Sequence, residues 1–281
     1  NIEMPMENLC YAGGTALSCP ANSRLHQESS FKNIYIPPDC DDSGLSIGCA
    51  LYLYHNILDN PLPSNDEASS HLNSYPYLGG DFKGEAVQVA LRAVADRVGV
   101  TQPDNWAHTA AEDIHEDKIV AWFEGRSEIG PRALGHRSLL ASPRKKENWK
   151  RVNALKSRED WRPFAPAVLE DEATTWFSGA PNHSPYMLFT AQVTTSDLPA
   201  ITHVDGSSRL QTVSPEVGEF YQLLLHLKTL SGYGVVLNTS FNGPGEPIIE
   251  KPEEALQFLL TTNLDALYID GFRVTRQATS G

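Results

Sequence analysis

The run Gly125-Arg126-Ser127-Glu128-Ile129-Gly130-Pro131-Arg132-Ala133-Leu134-Gly135-His136-Arg137-Ser138 constrains this chain more than any other stretch. It follows the apolar segment Lys118–Phe123, which reads as a strand, and leads into Arg137–Ala141, which reads as another. Three glycines let a backbone approach a ligand closely, and three arginines match phosphate or carboxylate oxygens in pairs. A solvated loop with structural glycines is the plainer reading. No GxxxxGK[ST] pattern occurs anywhere, which excludes an ordinary P-loop.

Charge sharpens the point. The chain of 281 residues carries a formal net charge of −13. Residues 126–162 hold eleven basic residues against four acids and are therefore +7, leaving −20 for the rest. One cationic segment on an acidic chain suggests a local anion site, not a surface for gripping nucleic acid. With 41% apolar residues the chain has ample material for a core, and no run of about 18 apolar residues suggests a membrane span. Cys10, Cys19, Cys40 and Cys49 fit no zinc or CxxC spacing. They read as free thiols of a reducing compartment, which makes a cytoplasmic location the expectation.

The coarse pattern is mixed α/β. Short strands are expected at Leu9–Ala12 and Ile34–Ile36, and helices at Ala16–His26 and from Leu45 to about Leu58. Residues 59–80 read as a linker. Further helices are expected at Gly84–Val98, Lys146–Glu159, Val217–Leu230 and Pro252–Thr262. Pro199–Val204 and Ser208–Val213 alternate around Asp205-Gly206 and suggest a hairpin. Val235–Leu237 reads as a buried strand running into Asn238. Ala266–Ile269 and Phe272–Arg276 read as a closing hairpin.

On the 146–159 helix, Trp149, Val152, Asn153 and Lys156 share one face, whereas Arg151 and Arg158 fall opposite, toward water. A lysine on the buried face either pairs with a core acid, snorkels its ammonium toward water, or points into an anion site. Arg162 sits in a stiff proline-flanked turn and Arg209 shares a strand face with Gln211. Asn238 stands at the carboxyl end of a buried strand, where open α/β sheets place ligands. Gly13 and Gly14 follow a strand and open a helix, a geometry that can hold phosphate on backbone N–H groups. Asp41 and Asp42 either cap a helix or ligate a metal. His203 reads as a base or as a satisfied polar residue. No nucleophile stands out, so catalysis would rest on positioning and charge stabilisation.

Taken together, these segments resemble the O-carbamoyltransferase family of natural-product and nodulation-factor biosynthesis. The matching motifs are Asn8 to Leu17, Asp42-Ser43-Gly44, Gly125 to Ser138, Asn153 to Pro166, Thr202 to Thr212, and Leu237 to Asn242. The resemblance implies the second half of an actin-like (Kae1-like) domain over residues 1–72. A YrdC-like α/β domain with a twisted mixed sheet would follow over 73–281. It implies that carbamoyl adenylate is formed from carbamoyl phosphate and ATP, with Mg²⁺, and that the carbamoyl group then passes to a hydroxyl.

By the same resemblance, Arg132, Lys156 and Arg162 would act in catalysis, and Arg209 and Asn238 would line the carbamoyl-phosphate and adenylate pocket. Gly13 and Gly14 would touch nucleotide phosphates. Asp42 would be one ligand of an Fe²⁺ shared with an N-terminal Kae1-like half lying upstream, on the same or another polypeptide. The implied partners are that half, a small-molecule hydroxyl acceptor and a second copy in a homodimer, with no nucleic acid and no membrane. Other readings are a threonylcarbamoyl-type tRNA modification factor, which the acidic charge disfavours, and a non-catalytic interaction subunit with structural arginines.

Overall fold

The computed structural model describes residues 6–64 and 75–277. The boundary expected at residues 72/73 lies outside these described residues. The first segment opens with β1 (Asn8–Cys10), a 3-10 turn at Gly14–Leu17, α1 (Cys19–Glu28), β2 (Asn33–Tyr35) and α2 (Leu45–Tyr52), which continues as a π-turn over Leu53–Ile57. Strands β1 and β2 pair in parallel. No residue of α2 is buried, and Leu51, Tyr52, Leu53 and Ile57 are all exposed.

The second segment runs α3 (Glu85–Ala93), β3 (Val98–Thr101), α4 (Trp106–His115), β4 (Val120–Phe123), β5 (Arg137–Ala141), α5 (Lys146–Leu155), β6 (Ala165–Leu169), α6 (Ala173–Trp176) and β7 (Phe177–Ser178). It continues with β8 (Phe189–Val193), β9 (Ser207–Val213), α7 (Glu219–Ser231), β10 (Val235–Ser240), α8 (Pro252–Thr261), β11 (Ala266–Ile269) and β12 (Phe272–Arg276). Ten strands join in one mixed sheet, in the order β3-β12-β11-β4-β5-β10-β6-β9-β8-β7. The β4–β11 and β6–β9 pairs are parallel.

Alternation along β4 explains the layering. Val120 and Trp122 point to one face, where α4 and α7 pack, and Trp106 stacks on Trp122 with ring centroids 4.0 Å apart. Ala121 and Phe123 point to the other face, where they meet Val87, Leu91 and Val152 of α3 and α5 and Leu256 and Leu259 of α8. The mixed α/β class is as expected.

Three local expectations need correction. The helix expected over Gly84–Val98 stops at Ala93, and Val98 opens the edge strand β3 instead. The hairpin expected across Asp205-Gly206 does not form. Residues 199–204 are not a strand, and β9 pairs antiparallel with β8 through Phe189↔Leu210 and Thr190↔Arg209. The turn at 202–206 instead closes on itself: the His203 N–H donates to the Ser207 carbonyl at 2.8 Å. Finally, α5 ends at Leu155, not Glu159.

Candidate active site

The Gly125–Ser138 run is a folded loop between β4 and β5. Glu128 organises it: one carboxylate oxygen accepts the backbone N–H groups of Leu134 (2.7 Å), His136 (2.8 Å) and Arg137 (3.3 Å). Arg137 is fully buried, and its guanidinium donates to the carbonyls of Glu124 and Gly125 while lying 3.5 Å over the Phe123 ring. Arg126 reaches outward. One of the three arginines is therefore spent on the loop itself, and Arg132 is half-buried with its Nε free of any hydrogen bond.

Beside Arg132 stands Arg209 on β9. Burial holds the Arg209 guanidinium down at about 10, helped by repulsion from Arg132 and from Arg158. The Nε groups of Arg132 and Arg209 are buried without a hydrogen-bond partner. No ion pair of Arg132, Arg158 or Arg209 with an acid occurs among the described residues. Buried cations of like sign without a counter-ion are costly unless an anion is supplied from outside.

The floor is neutral and buried. Asn238 is fully buried on β10 and donates to Gln211 Oε1 at 2.9 Å. Gln211 in turn donates to the Leu134 carbonyl at 2.8 Å. The Asn238 Oδ1 has no partner. Lys156, at the C-terminal end of α5, is 5% exposed, and its Nζ donates to the Ser240 carbonyl, to Ser240 Oγ at 3.2 Å and to Asn242 Oδ1 at 2.6 Å. Burial, then repulsion from Arg158, holds the ammonium down at about 7. Lys156 has no acidic partner among the described residues; neutral oxygens of Ser240 and Asn242 satisfy its ammonium instead.

Arg132 and Arg209 lie near one another, and Asn238 is joined to the same loop through Gln211 and Leu134, whereas Lys156 is turned to the Ser240–Asn242 turn and feels only Arg158. Arg162 stands at the rim: its side chain is about half exposed and pairs with Glu159 at 2.7 Å. Arg158 corrects the expectation that it faces water. It lies beyond the end of α5, so the helical period does not place it. Its Nε donates to Asn153 Oδ1 at 2.6 Å and its guanidinium stacks 4.4 Å from the Phe164 ring centroid. Burial holds it down at about 10. Ser240 and Asn242 were also missed. Their signal was available, since residues two apart at a strand's end share a side.

Gly13 has φ +102°, and its N–H donates to the Cys40 carbonyl at 2.6 Å. The Cys40 thiol itself feels Arg132, so the glycine turn lies near the arginine loop. Gly14 opens the 3-10 turn, with open space around it. Asp42 is exposed. The cap at that turn is Asp41, which accepts the Ser43 N–H at 3.1 Å. No group of three His, Cys, Asp or Glu side chains able to hold a metal occurs among the described residues. A single exposed carboxylate, Asp42, cannot build a metal site by itself, so the expected Fe²⁺ would need further ligands from the upstream half. His203 is a satisfied polar residue whose Nδ1 lies 3.2 Å from Ser207 Oγ, kept below its ordinary range by burial. All four cysteines are free. No helix among the described residues is long and apolar enough to cross a membrane.

Comparison with known proteins gives this geometry a family. The description "Carbamoyltransferase C-terminus" matches residues 111–276, and "Carbamoyltransferase N-terminus" matches residues 1–51. Nodulation protein NolO of Bradyrhizobium diazoefficiens is 37% identical over 98% of this chain and 50% of its own length. The 3'-hydroxymethylcephem-O-carbamoyltransferase of Amycolatopsis lactamdurans is 34% identical over 91% of this chain and 46% of its own. Among solved structures, HypF of T. kodakarensis aligns with a TM-score of 0.45 and 20% identity, covering 63% of this chain and 25% of HypF. The chain spans about half the length of the curated relatives it matches. It belongs to the carbamoyltransferase family, the family of the cephem O-carbamoyltransferase.

Proposed function

We propose that this chain carries the anion-handling part of an ATP-dependent O-carbamoyltransferase. The observation that supports the reading is the set of arginines without an acidic partner, Arg132, Arg158 and Arg209, with the Nε groups of Arg132 and Arg209 buried and unbonded. Carbamoyl phosphate and the phosphates of ATP are the anions such a site suits.

In the reaction, water releases phosphate from carbamoyl phosphate and leaves carbamate. A carbamate oxygen attacks the α-phosphorus of ATP, the bond to the β-phosphate oxygen breaks, and pyrophosphate leaves. An acceptor hydroxyl oxygen then bonds to the carbamoyl carbon, the bond from that carbon to the adenylate oxygen breaks, and AMP departs. The hydroxyl proton passes to solvent. The arginines neutralise charge on the phosphates, and the guanidinium forks fix their orientation. Lys156 holds the Ser240–Asn242 turn against the site and adds positive charge when protonated. Asn238 Oδ1 is free to accept from the carbamoyl amide.

The chain incubated with ATP and carbamoyl phosphate should release pyrophosphate. Arg209→Met should slow release by about 10- to 100-fold, the worth of one charged hydrogen bond. Release that is absent, or unchanged in Arg209→Met, would sink the reading.

A further inference from the structure

A cavity of about 550 Å³ opens at the far end of the β5–β10 pair. Val235, which begins β10, and Ser142, which follows β5, both line it. Ser240, at the other end of β10, is roughly 17 Å away along the strand. The cavity is therefore separate from the arginine site. Its floor is apolar and made by buried Ile114, Leu227 and Val235.

The lining above that floor carries both signs of charge. The positive part is the segment Ser142–Lys145, which leads into α5. That helix starts without a side-chain cap, so its partial positive charge adds to the cations there. Ser142 is only 6% exposed, and its hydroxyl makes no hydrogen bond among the described residues. The negative part includes Asp197 and the ends of α4 and α7 at His115 and Ser231, where helix C-termini carry partial negative charge. Lys145 is spent on Asp117, which leaves that pair neutral.

Arg144 and Asp197 remain, and they meet at one ring. The Arg144 guanidinium lies 5.3 Å from the Tyr233 ring centroid, and Asp197 accepts the Tyr233 hydroxyl at 2.6 Å. Both side chains are exposed, and neither has an ion pair, with the other or with a third residue, among the described residues. Opposite charges held at one tyrosine without bonding each other leave a gap that a molecule carrying both charges would bridge. A plain anion would meet Asp197 as like charge, and a plain cation would meet Arg144.

We infer that this cavity binds a small zwitterion with an apolar body, of the α-amino-acid type. Its carboxylate meets Arg144 and the Ser142 hydroxyl, its ammonium meets Asp197, and its body lies on Leu227 and Val235. The site stands independently of the carbamoyl-transfer reading.

Three probes with one body and different charge test it on the intact chain: phenylalanine, 3-phenylpropanoate and phenethylamine, each titrated to about 10 mM by ligand-observed NMR. Phenylalanine should bind, and each singly charged probe should bind at least about threefold more weakly, the modest worth of one exposed charge contact. Arg144→Met should weaken phenylalanine to the level of phenethylamine and leave phenethylamine itself unchanged. Asp197→Asn should do the reverse, weakening phenylalanine to the level of 3-phenylpropanoate. Both positions are exposed, so neither variant threatens folding. Arg209→Met, at the arginine site, should leave phenylalanine binding as it was. No binding of phenylalanine, equal binding of all three probes, or a ranking untouched by Arg144→Met and Asp197→Asn would overturn the inference. Loss of phenylalanine binding in Arg209→Met would overturn it too, by placing the ligand at the arginine site.

Discussion

Lys156 is the residue whose protonation matters most. Its folded-state value near 7 lies below the ordinary lysine range, because a buried ammonium with only neutral oxygens for partners is costly. Two consequences follow with definite sign. An arriving anion favours the charged form, so affinity for carbamoyl phosphate should fall as pH rises above about 7, by up to tenfold per unit. Titration calorimetry in buffers of different ionisation heat should show proton uptake on binding above that pH. Lys156→Met should abolish both effects, and a wild-type affinity flat from pH 6 to about 9 would refute them. For folding, the unfolded chain binds the extra proton between about 7 and the ordinary lysine value, so this residue's contribution makes stability rise across that window.

At the scale of elements, the β4–β5 loop depends on a glycine no other residue can replace. Gly135 has φ +113°, and a Cβ there would come within 2.2 Å of the Phe220 ring on α7. Gly135→Ala should cost roughly 2–4 kcal/mol, from overpacking and backbone strain together. Urea denaturation checks this; a loss below about 0.5 kcal/mol would contradict it.

The elements also show what could be read from sequence. Strands β4, β5 and β10 are legible as apolar runs, and the loop that joins β4 to β5 holds Arg132 as its motif suggests. The partner of β9 was not legible, because alternation in Pro199–Val204 mimics a strand, while β8 lies 14 residues upstream of β9 with no local turn signal. Arg158 was misplaced because periodicity is only as good as the helix end, and α5 stops three residues before it. Helix α4 went unread, because Ala107, Ala110 and Ala111 form a weak stripe that becomes decisive only under α7.

For the molecule as a whole, the first segment docks on the edge of the ten-stranded sheet through α1. Buried Asn22 donates to the carbonyls of Ala16 (2.7 Å) and Leu188 (2.9 Å), and Ser23 Oγ pairs with Thr190. Nothing in the sequence links residue 22 to residue 188, since such a contact is set by the third dimension alone. Asn22→Ala should destabilise the chain by about 2 kcal/mol, for the two buried carbonyls left without a donor. Its own partnerless Oδ1 limits the loss. A second contact lies at Gly130, where a Cβ would sit 2.5 Å from the Pro38 carbonyl. The arginine loop therefore touches both segments.

The three amide bonds to Glu128 have one more consequence. Because a single buried carboxylate already satisfies the N–H groups of Leu134, His136 and Arg137, the loop has its working shape before any anion arrives. Those amides should exchange with deuterium slowly in the empty protein, and their rates should change little when phosphate is added. Glu128→Gln should speed exchange at all three, because an amide oxygen accepts more weakly than a carboxylate. Recognition at this site then becomes a matter of arrival, with the ordering of the loop completed at folding.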